Sequence, residues 1–301
     1  MSESTNHDGD RSPFYAFELQ RLGGLNQRIL RGLLSHAQQN VILELGGGAV
    51  SRFSAEDLRV RNATVVNFDC VEHPYGDVPV RMDLQQLELG LDDPKLPESI
   101  RQQELAAVIA SHVAIFLRPR IFEVFMESSF QHLAKNGKLY YFEKHPWQYG
   151  DCSSDIREHY WASRRIMKEL EQRHANCMKV MHFQVGPVLS QKTCLSLMRS
   201  LMGDDESATG AYINHESIMP LVYAGIAQVI ERPVGGGEFQ AMPDGKIFHQ
   251  HMAEQVTVLT RVDPDEQAQK EKVSRQRERE IERRKRAEEK RRKAQKKRNR
   301  R

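Results

Sequence analysis

Cysteine is scarce in this chain. The four residues Cys70, Cys152, Cys177 and Cys194 stand far apart, with no Cys-x-x-Cys pair among them. That pattern speaks against a zinc ribbon and against a disulfide framework, and it fits reduced thiols in a cytoplasmic protein. Long apolar runs are missing too. Nothing approaches the roughly 18 consecutive apolar residues of a spanning helix, and the polar opening residues lack the apolar core of a signal peptide. Positive charge is thin over most of the length. Of the 44 Lys and Arg residues, 18 fall in residues 270–301 beside only 6 acids, a local net of +12, which against a whole-chain net of +3 leaves residues 1–269 at −9. An acidic body is a poor surface for nucleic acid, so any attraction to phosphate comes from the tail. That tail has no a/d apolar seam, which excludes a coiled coil. Its five Glu-to-Arg/Lys pairs at i,i+4, such as Glu280–Arg284 and Glu288–Arg292, contribute about 0.3–0.5 kcal/mol each and predict a solvated, fraying helix.

The remainder is rich in buried-strand patterns. An amphipathic helix is expected over residues 25–36, where Leu25, Ile29, Leu30, Leu33 and Leu34 recur at helical spacing. Apolar runs follow at residues 41–45, 63–69, 105–111 and 138–143, separated by helical patterns at 54–60 and 119–133. Continuous apolar strands alternating with helices mark a parallel sheet covered on both faces, with right-handed crossovers. The fold class is therefore α/β, a doubly wound, mostly parallel sheet with a detached basic C-terminal helix. Residues 70–103 read as irregular apart from a short helix near 98–103, and Asn136–Gly137 reads as a turn before the run at 138–143. Further on, a helix is expected at 156–174, strands near 178–184, 221–231 and 255–262, and a helix near 193–202. The domain boundaries follow: 1–22 a disordered N-terminal segment, 23–262 the folded domain, and 263–301 the basic helical tail.

In a doubly wound sheet, ligands bind at the carboxyl ends of the strands where strand order reverses. Three consecutive glycines, Gly46, Gly47 and Gly48, follow the first apolar run and allow close backbone approach to a ligand. Asp69 closes the second strand about where an acid reaches ribose hydroxyls. Asp83 lies in the loop after it, placed to accept from an adenine amino group. In order along the chain, Glu44-Leu-Gly-Gly-Gly-Ala-Val50, Asp69, Asp83-Leu84, Ser111-His112-Val113 and Leu133-Ala-Lys-Asn-Gly137-Lys-Leu139 resemble the motifs of a class I S-adenosylmethionine-dependent methyltransferase of the small-molecule type 11 style. The resemblance covers residues 41–143. It implies a Rossmann-like fold, S-adenosylmethionine as cofactor and methyl transfer as the activity. It also implies Glu44 at the methionine end of the cofactor, Gly46, Gly47 and Gly48 along it, Asp69 on the ribose, Asp83 on the adenine, and Ser111 at the fourth strand's end. Two departures stand out: Val50 occupies a usual glycine position, and Asn136-Gly137-Lys138 replaces Pro-Gly-Gly.

A sulfonium methyl is already activated, so alignment matters more than acid–base chemistry. His112 and His145, just past the fourth and fifth strands, are candidate bases or packing residues. Tyr149, Asp155, His159, Tyr160 and Trp161 form either a substrate lid or an amphipathic helix face. A dinucleotide cofactor would want Gly-x-Gly-x-x-Gly, and the sixth position from Gly46 is Ser51. His249 and His251 share a strand face but have no evident third metal ligand. The methyl acceptor, small molecule or RNA, is open at this stage, and the tail at residues 270–301 is a candidate nucleic-acid or ribosome contact. A methyltransferase fold without catalysis, serving RNA-associated binding or assembly, is the alternative.

Overall fold

The computed structural model describes residues 25–35, 37–49, 51–144, 154–190, 228–233, 239–241, 246–249, 254–265 and 282. A helix, α1, covers residues 25–31. It precedes β1 (Asn40–Leu45), α2 (Ala55–Val60), β2 (Ala63–Asp69), β3 (Val78–Arg81) and α3 (Glu98–Arg101). Next come β4 (Leu105–Ser111), α4 (Pro119–His132), β5 (Leu133–Lys144), α5 (Ser154–Arg173) and β6 (Met178–Ser190). The strands β7 (Gln228–Pro233), β8 (Phe239–Ala241), β9 (Lys246–His249) and β10 (Glu254–Arg261) complete the described elements. No helix among the described residues is long and apolar enough to cross a membrane.

The sheet order is β3-β2-β1-β4-β5-β10-β6, continuing through β9 to β8, with β7 also paired to β6. Strands β1 to β5 run parallel. β10 lies antiparallel between β5 and β6, so β6 points the same way as β5. This is the doubly wound, mostly parallel sheet expected from the sequence. β2 and β4 have the expected bounds. α2 begins where Ser54 caps it, its side chain accepting from the Asp57 N–H at 3.1 Å, a cap worth about 1 kcal/mol.

Strand alternation sorts side chains onto two faces. Leu43, Leu45, Phe68, Leu139 and Tyr141 pack with Phe122, Phe125 and Met126 of α4 and Leu170 of α5. On the other face Ile42, Val65, Ile109, Phe142 and Val256 pack with Leu25, Ile29 and Leu30. Each such large apolar side chain contributes roughly 1.5–3 kcal/mol when fully buried.

Two expectations need correction. Residues 78–81, read as irregular, form β3, a four-residue edge strand whose side chains are mostly exposed, so no buried apolar pattern announces it. Asp83 thus follows the third strand rather than the second. The expected Asn136–Gly137 turn is a bulge inside β5: Leu105 pairs with Leu133 but Ala107 with Lys138, and Asn136 takes φ 65°. A Cβ on Gly137 would stand 2.8 Å from the Leu105 carbonyl oxygen, so the bulge requires glycine there. Residues 228–231 of the strand expected at 221–231 fall in β7, Gln228–Pro233, and residues 221–227 lie outside the described residues. The helix expected near 193–202, and the tail apart from Glu282, lie outside the described residues.

Candidate functional site

Strand order reverses between β1 and β4: β2 and β3 extend from one side of β1, β4 and β5 from the other. In a doubly wound sheet, the carboxyl ends of the strands at such a switch point are where a ligand crevice forms. The segment after β1 crosses its floor. Gly46 and Gly48 take φ 69° and 76°, values that cost other residues roughly 1–2 kcal/mol. The Gly46 N–H donates to the Phe68 carbonyl at 2.8 Å. A Cβ on Gly47 would collide with Asn67 Oδ1 at 2.7 Å and Glu44 Cδ at 2.8 Å, whereas one on Gly48 would meet nothing within 4 Å. Gly47 is therefore fixed by what lies beneath it, and the space over Gly48 is open.

Two β2 side chains staple this turn. Asn67, fully buried, accepts from the Gly47 N–H at 3.1 Å and donates to the Gly48 carbonyl at 2.9 Å. Asp69 Oδ2 accepts from the Gly48 N–H at 2.8 Å and its Oδ1 from the Val71 N–H at 2.9 Å. A carboxylate offers about four acceptor positions, so this half-buried acid at the crevice wall keeps capacity for ligand hydroxyls.

Strand alternation sends Glu44 to the α1 face, underneath the glycines. Its carboxylate is fully buried, lies 2.5 Å from the Arg52 guanidinium and accepts from the Tyr75 hydroxyl. Burial pushes its pKa up, with the Arg52 charge and hydrogen bond pulling the other way. Arg52 in turn sits 5.7 Å from the centre of the Phe142 ring. Glu44 thus supports the turn from behind.

Ser111 ends β4, half-buried and paired in register with Phe142. His112 follows with φ 56°, its N–H donating to the Phe142 carbonyl at 3.1 Å. Its Nε2 lies 2.8 Å from Glu254 Oε1, the histidine side chain 21% exposed and the acid fully buried. Asp83 is exposed and caps a short 3₁₀ turn, Leu84–Gln86, accepting from the Gln85 N–H at 2.9 Å. The neighbouring Met82 N–H donates to the Asp69 carbonyl at 2.9 Å, which brings Asp83 to the same rim. Gln85 then reaches across to the Phe116 carbonyl at 2.6 Å, joining the loop after β3 to the turn after β4. His145 and Tyr149 lie outside the described residues, as do Val50 and His251.

On the other face, α5 closes over the ends of β4 and β5. His159 Nδ1 is 3.0 Å from the Ile115 carbonyl. Tyr160 is fully buried, Trp161 is 59% exposed, and Asp155 takes a hydrogen bond from Ser154 at the start of the helix. Beneath them Glu143 accepts from the Tyr141 hydroxyl at 2.8 Å and the Ser163 hydroxyl at 3.1 Å. Burial raises its pKa to about 7, against the two hydroxyl bonds and the Arg164 charge.

The glycines, Asp69, Asp83, Ser111 and His112 therefore converge on one edge, and Glu44 supports it from below. Sequence reasoning passed over Asn67, Arg52, Tyr75, Glu143 and Glu254. Asn67, a polar residue inside the apolar run Ala63–Asp69, carried a readable signal. The Gly-x-Gly-x-x-Gly reading finds Ser51 at its sixth position, where the side chain donates to the Phe53 carbonyl at 2.7 Å.

No family model matches the chain, and no curated protein does. Among solved structures the chain is similar to the N-methyltransferase NodS from Bradyrhizobium japonicum WM9 in complex with S-adenosyl-L-homocysteine, at 10% identity over 87% of this chain and 94% of that one, TM-score 0.41. It is also similar to the plantazolicin methyltransferase BpumL in complex with the same compound, at 11% identity over 86% and 89%, TM-score 0.39. A rRNA methylase assignment from Clostridium thermocellum matches at 12% identity over 54% and 85%, TM-score 0.35.

Proposed function

We propose that this chain is an S-adenosylmethionine-dependent methyltransferase, binding its cofactor across the carboxyl edge of β1, β2 and β4. The observation that carries this reading is the glycine turn at the strand-order switch, held in left-handed backbone geometry at Gly46 and Gly48 and tied to Asp69 at 2.8 Å. The bound cofactor supplies a methyl group already activated on a sulfonium. The chain's part is to hold and align. Gly46, Gly47 and Gly48 admit the ligand against bare backbone, with open space over Gly48. Asp69 accepts ribose hydroxyls through its remaining lone pairs, Asp83 receives the adenine amino group at the rim, and Ser111 lines the opposite wall. Glu44 works through Arg52, fixing the methionine end of the crevice. His112 flanks the acceptor side, and His145, two residues beyond Glu143 in the chain, is a second candidate base by its sequence position alone. The acceptor is a small molecule or RNA, reached in the cytoplasm.

Calorimetry with S-adenosylmethionine and its demethylated product tests the reading. Binding is expected below about 1 mM, the upper end of ordinary substrate constants. Asp69→Ala should weaken it by about 1.5–3 kcal/mol, on the order of 10–100-fold. No binding heat at millimolar cofactor would sink the proposal. A second reading, cofactor binding without catalysis in an RNA-associated module, is favoured by Val50 at a usual glycine position and by the Glu44 carboxylate being committed to Arg52 and Tyr75. Labelling of cell extract with methyl-tritiated cofactor separates the two. In either case residues 270–301, with a net +12, supply a contact for nucleic acid or the ribosome. Such binding falls with salt at a log–log slope near 0.9 per neutralised phosphate.

A further inference from the structure

We propose that Cys177 is a peroxide-reactive thiol, with His174 as its base and Glu127 orienting that base, at the sheet edge opposite the glycine turn. This stands apart from the methyl-transfer reading and uses none of its residues.

The three side chains form one hydrogen-bonded line. Glu127 belongs to α4, His174 directly follows α5, and Cys177 directly precedes β6. His174 Nε2 lies 2.7 Å from Glu127 Oε1. An ionised carboxylate only accepts, so Nε2 carries the proton and Nδ1 of the neutral ring is an acceptor. Cys177 Sγ lies 3.9 Å from that Nδ1, within reach of a sulfur hydrogen bond in which the thiol donates. A nucleophile beside a base that a third group orients is the arrangement that activates a thiol.

The line is held firmly. Gln131 Nε2 donates to Glu127 Oε1 at 2.9 Å, and the Arg173 guanidinium lies 3.4 Å from Glu127 Oε2. The Phe130 ring packs against the imidazole, centroids 4.8 Å apart. Along the backbone, the Cys177 N–H donates to the His174 carbonyl at 2.9 Å, and the Cys177 carbonyl accepts from the Val262 N–H at 2.8 Å. The imidazole stands between acid and thiol, so the three do not converge on one ion. Among the described residues no His, Cys, Asp and Glu group could hold a metal. Because β6 runs the same way as β5, the residue before it lies at the amino edge of the sheet, away from Gly46, Gly47 and Gly48.

Cys177 is half-buried and packs against the apolar core, so a small uncharged oxidant such as hydrogen peroxide suits it. The thiol proton passes to Nδ1, and the thiolate, which is the nucleophilic form, attacks one peroxide oxygen. The oxygen–oxygen bond breaks. Sulfur is oxidised to a sulfenic acid and the peroxide is reduced; the departing hydroxide takes the proton from the imidazolium and leaves as water.

Cys70 provides an internal reference, being exposed and with no hydrogen bond on its thiol among the described residues. The full-length chain is treated with hydrogen peroxide at pH 7, and sulfenic acid is trapped with dimedone and mapped by mass spectrometry. In the wild type Cys177 should be trapped faster than Cys70, although it is the more buried of the two. An unassisted thiol is only a few per cent thiolate at pH 7, so His174→Gln should slow Cys177 on the order of 10-fold and leave Cys70 unchanged. Glu127→Gln should slow Cys177 by a smaller factor. Loosened packing acts the other way, since it exposes the thiol and speeds its reaction. A wild type in which Cys70 outpaces Cys177 overturns the proposal, and that measurement needs no variant to fold. An unchanged or faster Cys177 rate in either variant overturns it too.

Discussion

The two faces of one sheet edge compensate buried acids in different ways. On the α1 face, Glu44 meets the Arg52 guanidinium and Glu254 meets the His112 ring. On the α5 face, Glu143 takes its hydrogen bonds from the hydroxyls of Tyr141 and Ser163. A guanidinium can neutralise a carboxylate that stays ionised, whereas hydroxyls support it without cancelling its charge. The Glu143 proton is accordingly held up to about pH 7. The α1 face sets its buried acids against a guanidinium and an imidazole, and the α5 face sets an acid that titrates near neutrality against hydroxyls.

The most disruptive way to break this contrast is Arg52→Met. It leaves Glu44 buried without its cation and should cost about 3–5 kcal/mol at pH 7, read by urea unfolding. Because burial already raises the Glu44 pKa above its ordinary 4.5, the loss should shrink in acid, where the carboxyl is neutral in both states. Glu143→Gln should act in the opposite direction. The folded chain keeps the Glu143 proton up to about pH 7, while the unfolded chain releases it near 4.5. Between those values the folded state binds more protons, so this group's contribution is complete below 4.5, falls as pH rises through 7 and is flat above. The amide keeps the acceptor for both hydroxyls and removes that slope. The variant should therefore gain on the order of 2–3 kcal/mol at pH 8 and nothing at pH 4. Tyr141→Phe is the gentlest change. It deletes one hydroxyl donor, should cost about 1 kcal/mol, and should move the Glu143 midpoint upward, since that hydrogen bond lowers it. Carbon-13 titration of the carboxyl measures the shift.

Much of the frame was legible because parallel strands buried on both faces write themselves as apolar runs. Residues 63–69 and 105–111 came out with the observed bounds for that reason. β3 carried no such pattern: it is short, lies at the edge and includes Pro79. The glycine turn and Asp69 were legible as residue types at a set spacing, but the direction of a side chain was not. Glu44 belongs to the same motif, yet alternation along β1 turns it beneath the glycines and toward Arg52. Nothing local marks His112 as left-handed, and nothing near Glu254 in the chain points to it. Only the insertion of β10 between β5 and β6 brings the two together, and sheet order is a property of the whole fold.

That insertion also has a consequence for how the chain is made. β5 and β6 precede β10 in synthesis, yet neither completes its pairing until residues 254–261 arrive between them. A nascent chain therefore carries two unsatisfied strand edges through more than sixty residues of elongation, at about 5–20 residues per second. Exposed edges of this kind invite pairing with other chains. Pulse-labelled chains arrested before residue 254 should consequently be bound by chaperones or lost to proteolysis, and release should coincide with emergence of the last strand.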